Sequence, residues 1–196
     1  MTTMVAVQGQ NWTAVACDSQ VTEDNRVFML PKENPKIVKN GPYLLGAAGD
    51  MRAVNLLAHE FKPPTPPANC TGVKLDKFIS NRFIPELKTC FDDAQYGEKG
   101  SQESTILVVV HGTVYEIGSG YDWCHDVSGI YAFGSGGDFA LGALHAELEG
   151  KKLTLPAVRA AVKHSLEIAS RLDSNTGGQV VFQVQTWGAP GSSTSK

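Results

Sequence analysis

A chain of 196 residues, 42% hydrophobic and 19% charged, is long enough to bury about two thirds of its unfolded surface, so one domain can hold a core without metal or disulfide staples. A net charge of −3 with no stripe of clustered Lys and Arg argues against nucleic acid as a partner. No apolar run approaches the roughly 20 residues of a membrane span, the N-terminus lacks the order of a signal peptide, and Cys17, Cys70, Cys90 and Cys124 have neither CxxC pairing nor metal-ligand spacing; the chain reads as cytoplasmic with reduced thiols.

Residues 2–8 and 12–19 are β-rich runs, and the polar GQN between them reads as a hairpin turn. A second strand pair is expected near 27–30 and 36–39. An apolar strand follows at 42–46, and Asp50 suits the N-cap of a helix over MRAVNLLAHEF. The proline-rich 62–72 is a loop. Leu75, Ile79, Phe83, Leu87 and Phe91 recur every fourth residue and make one apolar helix face, with a kink or break expected at Pro85. STILVVVHGTVYEIGSG reads as strand, tight HG turn, strand. IYAFGSGGDFALGALHAELEG reads as strand, glycine turn, helix, and LTLPAVRAAVKHSLEIASRLD as a helix with Pro156 in its first turn. QVVFQVQTW closes as a strand, and 188–196 reads as a flexible tail after a single domain over 1–187. The order shows no βαβ alternation, so two antiparallel sheets packed face to face and flanked by helices are expected.

The glycine loop FGSGGDFALG has Phe139 where a dinucleotide fingerprint needs its third glycine, and there is no GxxxxGK[ST]. The five histidines form no HExxH and no His–Cys cluster, which disfavours metal catalysis. The residue exposed by removal of Met1 is Thr2. Met removal is sterically easy before a small residue. The new α-amine has an ordinary pKa of about 7.7–8.0, far below that of lysine, so a fraction of about a tenth is already neutral near pH 7. A neutral amine beside its own threonine hydroxyl is a built-in general base for that hydroxyl. The plainer reading is that TT only opens a strand. Asp18, at the end of the second strand, and Lys36, in NPKIVKN, could converge with residue 2 at one sheet end; equally, each could be an ordinary surface charge.

TTMVAV, ACDSQVT, PKIVKN, YLLGAAGD, YAFGSGGDFALGALHA and SRLDSNTGGQV, in this order, resemble the β-type subunits of the proteasome superfamily, and most nearly the bacterial HslV peptidase. The resemblance runs from residue 2 to about 185. It implies an α+β, four-layer αββα sandwich, the N-terminal nucleophile hydrolase fold. It implies Thr2 as nucleophile, Asp18 supporting Lys36, and Lys36 lowering the amine's proton affinity. Gly46 would offer an oxyanion-hole N–H, and Ser135, Asp173 and Thr176 would steady the amine. Gln20, Val21, Thr22, Leu45, Ala48 and Gly49 would bind substrate in a neutral-to-apolar pocket, with Pro31 nearby. No catalytic cofactor is implied, though a structural monovalent or divalent cation near Asp173 and Thr176 is. The implied partners are a peptide or unfolded protein, a homo-oligomeric ring of six or seven copies, single or stacked, and an ATP-dependent unfoldase.

Two departures stand out: Ser19 replaces the glycine that usually follows the acid, and the proline-rich 62–72 segment with its following helices is longer than in HslV. Three functions follow for testing. One is a threonine-type endopeptidase in a ring. The second is an inactive assembly or regulatory homologue that keeps Met1. The third is an N-terminal nucleophile amidase acting on a small molecule.

Overall fold

The structure, a computed structural model, describes residues 2–98 and 101–187. Met1 and the expected tail at 188–196 lie outside the described residues. The first hairpin forms as expected, from β1 (Thr3–Gln8) and β2 (Trp12–Cys17), with Met4 opposite Cys17. The next pairing differs from expectation. β3 (Gln20–Glu23) pairs with β4 (Arg26–Met29) as a separate two-stranded ribbon. β5 (Ile37–Asn40) instead pairs with β6 (Tyr43–Ala48). The cause is loop length: Asp24 and Asn25 alone join β3 to β4, and Asp24 takes the left-handed backbone (φ 50°) that such a tight turn demands.

α1 (Met51–His59) is capped by Asp50, whose carboxylate accepts from the Arg52 amide at 2.8 Å. The expected break at Pro85 is a smooth widening. α2 (Val73–Phe78) passes through a π turn over Ile79–Phe83 into α3 (Ile84–Asp93), so the helical path never stops. Pro85 falls at the start of α3, where the register shift of the π turn frees it from the missing-amide penalty. All five residues of the apolar face are fully buried.

β7 (Thr105–Val110) and β8 (Thr113–Ile117) meet through His111 and Gly112, both at positive φ (50° and 74°), as the HG pattern demands. The short β9 (Trp123–Cys124), absent from the sequence reading, extends this sheet. β10 (Ile130–Gly134) leads into α4 (Gly137–Leu148), then α5 (Leu155–Leu172) and β11 (Val181–Thr186).

One sheet has the order β10-β1-β2-β11, the other β5-β6-β7-β8-β9. Strand parity explains the layers. On β1, Val5 and Val7 pack with Leu144, Val158 and Val162 of the α4–α5 layer, while Met4 and Ala6 face the other sheet. On β6, Tyr43, Leu45 and Ala47 pack under α1 and α3, while Leu44 and Ala48 join Leu107 and Val109 between the sheets. Both faces of both sheets are therefore buried, which is why these strands read as unbroken apolar runs. The result is helices, sheet, sheet, helices: the αββα sandwich. No described helix is long and apolar enough to cross a membrane.

Candidate active site

The hairpin register builds one end of the first sheet. With Met4 opposite Cys17, residue 3 falls opposite Asp18, and the Asp18 amide donates to the Thr3 carbonyl at 3.1 Å. The Asp18 carboxylate turns back. Its Oδ1 accepts the Thr3 amide at 2.9 Å and Lys36 Nζ at 2.7 Å, and its Oδ2 accepts the amides of Gln20 and Gly177, each at 3.1 Å. Lys36 is completely buried, Asp18 is 3% exposed, and the ammonium also donates to the Gln20 carbonyl. A buried ion pair survives only where further hydrogen bonds complete it, and both partners have them here.

The other edge of β1 brings the second group. Thr3 lies opposite Gly134, and the Ser135 amide donates to the Thr2 carbonyl at 3.1 Å. The Ser135 hydroxyl donates to Asp173 Oδ2 at 2.6 Å. Thr176 Oγ1 donates to the same oxygen at 2.6 Å, and Asp173 Oδ1 accepts from the Asn175 amide and side chain. Burial pushes the Asp173 carboxyl upward, but the hydrogen bonds from Ser135, Thr176 and Asn175 outweigh it and hold the group below its ordinary value. Gly46, on β6, lies opposite Ile37, and a Cβ there would come within 2.6 Å of the Met4 sulfur. Thr2, Asp18, Lys36, Ser135, Asp173 and Thr176 thus come from five separate stretches of chain to the surroundings of residues 2 and 3, whereas Gly46 sits buried in mid-strand, paired with Ile37 on one side and Leu107 on the other.

No known family model matches the chain. Sequence relatives include the ATP-dependent protease subunit HslV of Oceanobacillus iheyensis, 27% identical over 93% of this chain and 95% of its own length. HslV of Borreliella burgdorferi is also 27% identical, over 93% and 94%. Among solved structures, Thiobacillus denitrificans BPH superposes with a TM-score of 0.75 at 19% identity, covering 97% of this chain and all of that one. HslV of Trypanosoma brucei superposes at 0.67, also at 19%, covering 94% and 99%. The chain has the N-terminal nucleophile hydrolase fold and resembles HslV of the proteasome family.

The expected substrate residues divide in this HslV-like frame. Val21, Thr22 and Gly49 line one groove of about 370 Å³ with Glu23, Asp50, Met51 and Glu103. Glu23, Asp50 and Glu103 make this groove acidic beside Met51, and the Asp50 carboxylate is taken up by the Arg52 amide. Gln20 is buried, and its amide nitrogen is spent on Thr22 Oγ1 and the Ser174 carbonyl. Ala48 lies beside Gly134 and the Thr2 carbonyl. Pro31 lines a separate recess with Ser19, Met29 and Gly178. Leu45 is a correction. It is fully buried under the helices, on the face of β6 opposite to Leu44 and Ala48, so it cannot line a substrate groove.

Cys17 stands beside the ion pair, but burial pushes its thiol up to about 12, only partly countered by Lys36; it is a packing residue and not a nucleophile. Sequence reading missed Thr3 and Gly134. Gly134 sits at φ 87°, and a Cβ there would stand 1.8 Å from the Thr2 carbonyl oxygen. Gly134→Ala must therefore displace residue 2 or pull β10 away from β1. The expected outcome is a loss of about 2 kcal/mol or more of unfolding free energy, together with collapse of activity, checked by denaturant melts and a peptide assay.

Proposed function

We propose that this chain is a threonine-type endopeptidase that hydrolyses peptide bonds inside a homo-oligomeric ring, with Thr2 as nucleophile once Met1 is removed. The observation that carries this reading is the single oxygen, Asp18 Oδ1, on which Lys36 Nζ and the amide next to residue 2 meet. A buried ammonium at that point makes a second positive charge costly and so favours the neutral form of the Thr2 amine. The neutral amine takes the proton of the Thr2 hydroxyl as it attacks the peptide carbonyl. An ester forms on Thr2, and the amine passes the proton to the departing amino group. A water, activated by the same amine, then resolves the ester. One oxyanion donor is worth about 2.7–4 kcal/mol; the Gly46 N–H expected in that role is held in the β6–β7 ladder opposite Leu107 and would have to leave it to serve. Ser135, held by Asp173 with Thr176, would orient the amine. Val21, Thr22, Ala48 and Gly49 would flank an extended substrate paired along the strand edges.

The relatives are named as subunits of an ATP-dependent protease, which supports a ring of six or seven copies, single or stacked, and an ATP-driven unfoldase that feeds it. The cation expected near Asp173 and Thr176 fits the side chains poorly. Both Asp173 oxygens already accept hydrogen bonds, and among the described residues no group of three His, Cys, Asp or Glu is placed to hold a metal ion. A cation there would draw on backbone carbonyls, and no step is routed through it.

One structure of Thiobacillus denitrificans BPH is a complex with epoxomicin; it superposes on this chain with a TM-score of 0.76 and 19% identity over 96% of this chain. We extend that ligand to this chain as a probe. Native and intact mass spectrometry of the purified protein should give a ring of chains lacking Met1, each gaining one epoxomicin, with loss of fluorogenic-peptide cleavage. A chain that retains Met1 and cleaves nothing would favour the inactive regulatory homologue. An active monomer indifferent to peptides would favour the small-molecule amidase.

A further inference from the structure

The hydrogen bonds around residue 2 close into a ring that the proposed chemistry does not itself use. The Ser135 amide holds the Thr2 carbonyl, and the Ser135 hydroxyl donates to Asp173 Oδ2. Thr176 donates to that same oxygen, Thr3 Oγ1 lies 2.5 Å from Thr176 Oγ1, and Thr3 is bonded covalently to Thr2. Thr3 is fully buried and Thr176 is 3% exposed. Nothing larger than hydrogen fits beside the contact: a Cβ on Gly136 would come within 2.3 Å of Thr3 Oγ1 and 2.7 Å of Thr176 Oγ1.

Counting protons gives the ring a direction. An ionised carboxylate only accepts, and each hydroxyl has one proton. Ser135 and Thr176 both spend theirs on Asp173. Thr176 then has only lone pairs left for Thr3, so Thr3 must be the donor. Ser135, whose amide already grips Thr2, likewise has only lone pairs to offer. It can accept an N–H from the terminal amine but cannot donate into the amine's own lone pair, which stays available to the Thr2 hydroxyl.

We propose that Thr3 is a positioning residue: its hydroxyl closes the ring that clamps Thr2 against Ser135, whose own proton is held by Asp173 and which is the acceptor toward the Thr2 amine. This rests on the peptidase reading of the same site. Thr3 acts through Thr176 and Asp173 and touches no reacting atom. The hydrogen bond it donates to Thr176 polarises that hydroxyl and strengthens the bond that Thr176 donates to Asp173, and a less neutralised carboxylate favours the protonated amine.

The test is steady-state cleavage of a fluorogenic peptide by the assembled protein, with Thr3→Val and Thr3→Ser compared at several pH values. Thr3→Val removes the donor and puts a methyl in place of the hydroxyl, so the 2.5 Å approach to Thr176 must lengthen. It should lower kcat by about 10- to 100-fold, the scale of a small misplacement of a reacting group, with KM little changed and the acid limb of kcat moved to higher pH. Thr3→Ser, which keeps the donor, should recover most of kcat. Unchanged kcat in an assembled Thr3→Val, a loss confined to KM, or no recovery in Thr3→Ser would overturn the proposal. If Thr3→Val does not assemble, Thr176→Val opens the same ring from its other side and must reproduce both the kcat loss and the shifted limb; failure to do so sinks the idea equally. Cleavage that survives Thr2→Ala would instead remove the peptidase reading itself, so the two failures are told apart.

Discussion

Thr2→Ala should abolish peptide cleavage, a drop on the order of 10⁶-fold, the scale seen when a hydrolase loses its nucleophile. Folding should be nearly untouched. The backbone of residue 2 supplies the contact that matters to the sheet, its carbonyl accepting from Ser135, and alanine keeps that carbonyl. Deleting one methyl and one hydroxyl from a buried but terminal side chain should cost about 1 kcal/mol. Thr2→Ser is the control that keeps a hydroxyl beside the amine, and it should cleave measurably. The measurement is a peptide assay on assembled protein whose mass shows that Met1 is gone. Alanine at position 2 also permits removal of Met1, so a silent variant cannot be ascribed to failed processing. Cleavage by the alanine variant at wild-type rate would leave the fold without its proposed chemistry.

The site was legible where local register decides it. The observed hairpin turns on Gln10 and Asn11, with Gly9 opposite Trp12, and that register sets residue 3 opposite residue 18; a turn taking all of 9–11 would have set it opposite Cys17, so the sequence places Asp18 near the N-terminus only to within one residue. Lys36 was harder. Its arrival depends on β5 pairing with β6 across the sandwich, and the sequence reading had joined that segment to 27–30. The lysine was a candidate for convergence from its place in NPKIVKN, but its role came from the family likeness, and the pairing inferred from propensity would not have delivered it. Leu45 failed for a related reason. In an all-apolar strand buried on both faces, alternation leaves no mark, so parity cannot be read until the second sheet is in place. Thr3 and Gly134 carried no signal as single residues. Thr3 looks like any strand threonine until α5 and the following turn deliver Thr176, and Gly134 looks like one more glycine in GSGG until β10 is laid against β1. The π turn before Pro85 was likewise hidden, because a four-residue apolar spacing fits a straight helix as well as a widened one.

Lys36→Ala should cost both activity and stability, and the two losses should be separable. The ammonium is fully buried and 2.7 Å from Asp18 Oδ1. Removing one partner of a buried ion pair strands the other charge, at a cost of about 3–5 kcal/mol. Here Asp18 keeps three amide donors, from Thr3, Gln20 and Gly177, which places the expected cost at the lower end of that range. Activity should fall to background, because without the nearby cation the Thr2 amine is mostly protonated near neutral pH and has no lone pair for the hydroxyl proton. Raising the pH should therefore restore part of the rate, since deprotonation then comes from solvent. The double variant Asp18→Asn with Lys36→Met removes both charges and keeps the volume. It should melt closer to the wild type than Lys36→Ala does, yet remain inactive at neutral pH. Denaturant midpoints and a pH–rate profile on the three proteins make the comparison. If Lys36→Ala lost only stability and cleaved peptides normally, the buried pair would be a packing feature and the amine's neutrality would need another source.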